Sequence, residues 1–181
     1  MTSRIQRTIL RRAALITVIV ALAGTALSCG SFTPSEAPDF TLLTMTGANV
    51  TLSALNGTPV VISFWYIWCQ YCRDELPYFE DVALQSSGVA VVTVNIVDSN
   101  STLVSFFNGY EPAMTVAMDR NAATFVTYCQ SFGNSRTAVP FTLLVDSEGM
   151  VQYARIGAFG SETELWNTLH DVLGITIPSA S

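Results

Sequence analysis

The sequence has no lysine: its eight basic residues are all arginine. Four of them, Arg4, Arg7, Arg11 and Arg12, fall in the first twelve residues, whereas all fourteen acids lie from Glu36 onward. Beyond residue 12, four arginines therefore stand against fourteen carboxylates, a net charge of −10. Nucleic-acid affinity comes mainly from neutralised phosphates, so a body this acidic is a poor match for nucleic acid; the charge argues nothing about fold. Histidine occurs once, at His170, and cysteine four times, at Cys29, Cys69, Cys72 and Cys129. There is no internal repeat and no low-complexity tract. What the chain does have is apolar: half of its 181 residues are hydrophobic, enough for one domain with a sizeable core plus extras.

The arginine-rich start, MTSRIQRTILRR, precedes AALITVIVALAGTALS, sixteen residues without a charge. That run is short for a spanning helix of roughly 20 residues and long enough for the apolar part of a signal segment. It ends in TALSCGS. A cysteine directly after Ala-Leu-Ser resembles the lipobox of bacterial lipoproteins, which implies lipidation at Cys29, although Ala26 stands where leucine is usual. Cleavage near ALA at 21–23, or retention as a signal anchor, are the alternatives. Each places the body outside the cytoplasm, and two of the three tether it to a membrane. The expected organisation is a signal or anchor over 1–29, a flexible tether over 30–37, a globular domain over 38–175 and a tail over 176–181. The tether expectation rests on GSFTPSEAP, small, polar and proline-bearing.

Within the body, strands and helices alternate. TPVVISFWY (58–66) is apolar throughout, as a strand buried on both faces would be. From Cys69 to Gln85, Cys72, Leu76, Phe79 and Ala83 recur at helical spacing, with Pro77 as a kink. VAVVTVNIV (89–97) reads as a second strand and 98–109 as a short helix ending at Gly109. MTVAM (114–118) reads as a short strand or extended segment. Asp119 is placed to cap a helix with Ala122, Phe125, Val126 and Cys129 on one face. FTLLVD and MVQYARIG, joined by SEG, predict a hairpin. In the last segment Ser161 and Glu164 form a capping box, Leu165, Trp166, Leu169, Val172 and Leu173 an apolar stripe, and Gly174 a stop. The pattern predicts an α/β sandwich with a mixed sheet.

The pair Cys69 and Cys72 invites several chemistries. A c-type haem site needs histidine after the second cysteine, and position 73 is Arg73. Zinc needs about four ligands; Cys129 and His170 would complete a set only from within predicted helices, so no metal is expected. A Sco-type copper site wants three residues between its cysteines. A peroxidatic cysteine usually has threonine or serine three residues before it and proline seven before; here stand Tyr66 and Ile62. Inert thiols or a static disulfide remain the plain alternative. For redox chemistry the placement is apt: the pair follows a buried strand and opens a helix. The free N–H groups and the dipole there favour a thiolate on Cys69, and Cys72, one turn in, can resolve a mixed disulfide.

VVISFWYIWCQYCRDELPYF resembles the active-site region of thioredoxin-fold proteins, most of all the TlpA/ResA group of membrane-anchored thiol–disulfide oxidoreductases. The likeness extends through APDFTLLTMTGANVTLSALNGTPVVISFW, GVAVVTVNIVDS and TAVPFTLLVDSEGMVQYARIGAFG. It implies a thioredoxin-like three-layer α/β/α sandwich with a mixed central sheet and an N-terminal β-hairpin extension. It implies that Trp68 packs beside the active site and that Pro140, after Val139, is a cis-proline whose preceding backbone pairs with substrate. It implies too that Glu75 influences the cysteine acidities as a proton-exchanging carboxyl. Ser63 stands where thioredoxin has a buried aspartate, which leaves Glu75 or water for that work. Gln70 and Tyr71, between the cysteines, depart from a frequent proline at the second position and bear on potential and partner choice. Cys129 has no counterpart and reads as a buried thiol, His170 as a surface residue.

The resulting expectation is an extracytoplasmic, membrane-tethered thiol–disulfide oxidoreductase whose redox group is the Cys69–Cys72 couple itself, with no other cofactor. Its substrates would be protein disulfides, such as those of apocytochrome c, and its electrons would come from a membrane thiol donor. An oxidase or isomerase of the same fold and a non-catalytic binding module stay open as alternatives.

Overall fold

Six residues, VVISFW, offer no face suited to water, and as β4 (Val60–Trp65) they are all buried in the centre of the sheet. The structure is a computed structural model that describes residues 32–176; the stretch expected to be a signal or anchor, with Cys29, and residues 177–181 of the expected tail lie outside the described residues. In chain order the other elements are β1 (Ser35–Glu36), β2 (Thr41–Thr44), β3 (Asn49–Thr51), α1 (Gln70–Gln85), β5 (Ala90–Ile96), α2 (Asn100–Phe106) and β6 (Thr115–Asp119). Then come α3 (Ala123–Ser131), β7 (Phe141–Val145), β8 (Met150–Ile156) and α4 (Glu162–Leu173). The strands form one sheet in the order β1-β8-β7-β4-β5-β6-β2-β3. β4, β5 and β6 run parallel; β7 lies antiparallel to β4, and the β2–β3 hairpin adds to the edge of β6. This is the thioredoxin-like sandwich with a mixed sheet and an N-terminal hairpin.

Strand pleating sorts the core into two layers. Val61 and Trp65 of β4 join Val91, Leu144 and the inner faces of α1 and α4 in one cluster. Val60, Ile62 and Phe64 join Phe141, Leu143, Phe125, Tyr128 and Cys129 in the other. Phe64 sits amid Phe125, Tyr128 and Phe141, with ring centroids 5.4, 5.2 and 6.2 Å away.

Four details differ from the sequence reading. The sheet begins at Ser35, inside the stretch expected to be tether: Ser35 and Glu36 pair with Val151 and Met150, and Ala37 is buried. Helix α1 runs from Gln70 to Gln85 with Pro77 inside it, as expected, and the proline leaves the Arg73 carbonyl without its intrahelical donor. Helix α3 buries Phe125, Tyr128 and Cys129 but leaves Val126 exposed. Asp119 does serve that helix, but across a turn: Ala122 is the N-cap at φ 56° and makes no side-chain cap bond, while Asp119 Oδ2 accepts from the N–H of Phe125 at 2.8 Å. In α4, Ser161 Oγ accepts from the N–H of Glu164 at 3.1 Å. The return half of the capping box is displaced by one residue, with Glu164 Oε2 accepting from Gly160 N–H at 2.6 Å.

Candidate active site

Parallel strands β4 and β5 end at the same edge of the sheet, and antiparallel β7 begins there, so three connections converge. From β4 the chain turns through 66–68, with the N–H of Cys69 on the Tyr66 carbonyl at 3.1 Å, and enters α1. Cys69 is the N-cap of that helix, and its Sγ accepts from the N–H of Cys72 at 3.1 Å. Cys69 and Cys72 are joined as a disulfide. Cys69 is 9% exposed and Cys72 fully buried, so the first sulfur is the one an incoming group meets. Once the bond is reduced, the same N–H would stabilise a thiolate on Cys69.

Across the gap lies the start of β7. The Val139-Pro140 bond is cis, and the Val139 carbonyl stands 3.9 Å from Cys69 Sγ. Val139 is half-buried, its backbone at the rim of the site. Trp68 departs from expectation. It does not pack beside the cysteines but stands out at 85% exposure, because the turn that brings Cys69 to the helix end directs residue 68 outward. Tyr71 is exposed as well, at 72%. Gln70 is exposed and bonded to Asp74 (Nε2 to Oδ1, 2.6 Å) and to Arg73. Trp68 and Tyr71 thus present two large aromatic surfaces on either side of Cys69 in sequence.

Behind the disulfide lies Glu75, three residues after Cys72 and on the same inward face of α1. It is 1% exposed. Its Oε2 accepts from Phe159 N–H at 3.1 Å, and its Oε1 is buried with no hydrogen-bond partner among the described residues. Burial pushes its acidity up to about pKa 7, an effect that the Phe159 N–H, the Arg155 charge and the nearby Ser63 hydroxyl partly offset. Ser63 itself is buried and shares a hydrogen bond with Thr142 at 3.0 Å. A carboxyl that is neutral about half the time near neutral pH, beside a dithiol, can give or take a proton as a thiol ionises.

Two residues that sequence reasoning missed hold the cysteine loop. Asp98 Oδ2 accepts from the N–H of Ile67 at 3.0 Å and from Asn95 Nδ2 at 3.0 Å. Between them Val97 sits at φ 70° and 62% exposure, a left-handed conformation costly for a β-branched residue. The Asn-x-x-Asp spacing across the end of a strand was the only signal. Cys129 packs in the core layer that contains neither Cys69 nor Cys72, so the three cysteines are not brought together. Burial pushes its thiol up to about pKa 11. His170 is exposed, with Nδ1 3.2 Å from the Ile175 carbonyl.

The sequence profile of the AhpC/TSA family matches residues 34–154. The thiol-disulfide oxidoreductase ResA of Bacillus subtilis (strain 168) is 30% identical over 146 residues, covering 80% of this chain and 75% of ResA. The ResA of Geobacillus kaustophilus (strain HTA426) is 26% identical over 166 residues, covering 87% and 92%. Among solved structures, a putative thiol:disulfide interchange protein DsbE from Chlorobium tepidum superposes with a TM-score of 0.68 at 27% identity, over 80% of this chain and 99% of that one.

Proposed function

The chain belongs to the AhpC/TSA family and is a thiol–disulfide oxidoreductase of the ResA type, and from that premise we propose that it is an extracytoplasmic, membrane-tethered reductant of protein disulfides. The observation that carries this reading is the layered site. A shielded but reachable Cys69 sulfur caps a helix, a cis-proline backbone lies across from it, and a buried carboxyl lies behind.

In the proposed cycle the reduced chain attacks with Cys69 thiolate. A substrate S–S bond breaks, one substrate sulfur leaves and takes up a proton, and a mixed disulfide forms. Val139 and Pro140 align the substrate strand by its backbone, with Trp68, Gln70 and Tyr71 as the surface it meets. Cys72 loses its proton to Glu75 and attacks Cys69 Sγ, which releases the second substrate thiolate; that thiolate is then protonated. The substrate gains two electrons and two protons, and the chain ends as the Cys69–Cys72 disulfide. A dithiol donor in the membrane must restore it, and no redox group other than the couple is required.

Apocytochrome c, whose cysteines must be reduced before haem attachment, is the substrate class we favour. The tether is the N-terminal segment, through a lipidated Cys29 or as an uncleaved anchor; among the described residues no helix is long and apolar enough to cross a membrane.

The test is covalent trapping. Cys72→Ser should accumulate a mixed disulfide with a disulfide-bonded apocytochrome c peptide, joined through Cys69, and Cys69→Ser should not. Adducts found only on Cys129 would contradict the assignment.

A further inference from the structure

The turn 157–160, between β8 and α4, is held on two sides. On the side of the site, Gly157 N–H donates to the Pro140 carbonyl at 2.8 Å, and Phe159 N–H donates to Glu75 Oε2 at 3.1 Å. On the other side, the Ala158 carbonyl accepts from Arg155 Nη2 at 2.9 Å, and Gly160 N–H donates to Glu164 Oε2 at 2.6 Å. Those two outer fixings come from one ion pair, since Arg155 Nη1 lies 2.6 Å from Glu164 Oε1. The guanidinium also sits 4.6 Å from the centre of the Phe159 ring. Phe159 itself is buried against Phe79 of α1, centroids 6.5 Å apart.

We propose that Arg155 is a positioning residue for the redox site: with Glu164 it clamps the turn so that one backbone N–H fixes the cis-proline carbonyl and another fixes the Glu75 carboxyl, although Arg155 touches neither sulfur. The inference rests on the reading of Glu75 as the carboxyl that exchanges protons with the couple. Its chemistry suits arginine and not lysine. The planar fork reaches Glu164 and the Ala158 carbonyl at once and still lays a face over Phe159, which a point-charge ammonium cannot do.

The groups that bear on Glu75 from the elements around it are few. On its own helix stands the Cys69–Cys72 couple. From β8 comes the Arg155 charge, which favours the ionised carboxyl. From β4 comes the Ser63 hydroxyl, itself held by Thr142 of β7. From α4, Glu164 faces Arg155; the Gly160 N–H, and then Arg155, keep it below the usual carboxylate range, so the clamp stays charged while Glu75 titrates. Loss of Arg155 removes a favourable charge and loosens the Phe159 N–H together. Both changes act in the same direction and make Glu75 hold its proton to higher pH.

The experiment follows the Glu75 carboxyl carbon by NMR in glutamate-labelled, oxidised protein, a readout independent of turnover. Alongside it, the rate at which reduced protein reduces a small aromatic disulfide is measured against pH. Arg155→Gln should raise the Glu75 midpoint from about 7 by roughly half a unit or more, and the matching inflection in the rate profile should move with it. Arg155→Lys, which keeps the charge and loses the fork, should move both by less. In a Glu75→Gln background, Arg155→Gln should leave the rate profile unmoved. A folded Arg155→Gln protein with an unshifted Glu75 midpoint overturns the proposal. The Cys69 thiol gives an inflection of its own; persistence in Glu75→Gln of the inflection that tracks the Glu75 midpoint overturns instead the reading of Glu75 beneath it. Should Arg155→Gln fail to fold, Arg155→Lys reads the same midpoint, with a smaller rise predicted and no rise overturning the proposal.

Discussion

At the scale of single residues, Glu75 is a buried carboxyl with one oxygen lacking a hydrogen-bond partner among the described residues. Its position three residues after Cys72 was legible in the sequence. Its burial was not, because helical spacing alone leaves a residue at the margin of an apolar face, and the turn that closes over it comes from 84 residues along the chain. The consequence for stability has a definite sign. Folding raises the affinity of Glu75 for its proton from the ordinary 4.5 to about 7, so between those values the folded chain binds more protons than the unfolded one. The unfolding free energy must therefore fall as pH rises through that window. Glu75→Gln removes the fall. Urea unfolding should show the variant close to wild type near pH 4.5 and more stable near pH 8, by up to about 3 kcal/mol. Trp68 carries the opposite lesson. Its place beside Cys69 was plain, but whether an aromatic next to a helix end packs or projects depends on the direction of one turn, which no local pattern states.

At the scale of elements, most strands and helices were legible, for different reasons. β4 and β5 announce themselves as apolar runs bounded by turn residues, and α4 by its cap, stripe and terminal Gly174, whose φ is 68°. Boundaries and caps that depend on distant partners were less legible. Two residues at 35–36 become a strand only because β8 offers them an edge. Asp98 reads in the sequence as the start of a short helix and is in the fold a clamp on Ile67, with Ser99 as the helix cap. Asp98→Ala should leave the Ile67 N–H and the buried Asn95 amide without their acceptor, costing about 1–3 kcal/mol of stability. Because the loop it holds aims Cys69, the rate of mixed-disulfide formation should drop more than the unfolding midpoint explains. Equal rates at a temperature where both proteins are folded would show that the loop needs no such hold.

At the scale of the whole molecule, the family likeness and the fold agree, and the two layers of side chains on either face of the sheet account for the alternation seen along the chain. A soluble form beginning at Pro38 would remove β1, the Ala37 N–H bond to the Gly149 carbonyl at 2.9 Å and the buried Ala37 methyl. It should unfold about 1–2 kcal/mol more easily than a form beginning at Thr33; equal urea midpoints would return 33–37 to the tether. The central claim is that electrons flow from this chain to protein disulfides. The measurement that tests it most directly is the reduction potential of the Cys69–Cys72 couple, taken by equilibrating the soluble domain in thiol–disulfide buffers and counting trapped thiols by mass. The account predicts a value near or below about −250 mV, toward the thioredoxin end of the scale. A value of about −120 to −180 mV would contradict it, and would make the chain an oxidase or isomerase built on the same site.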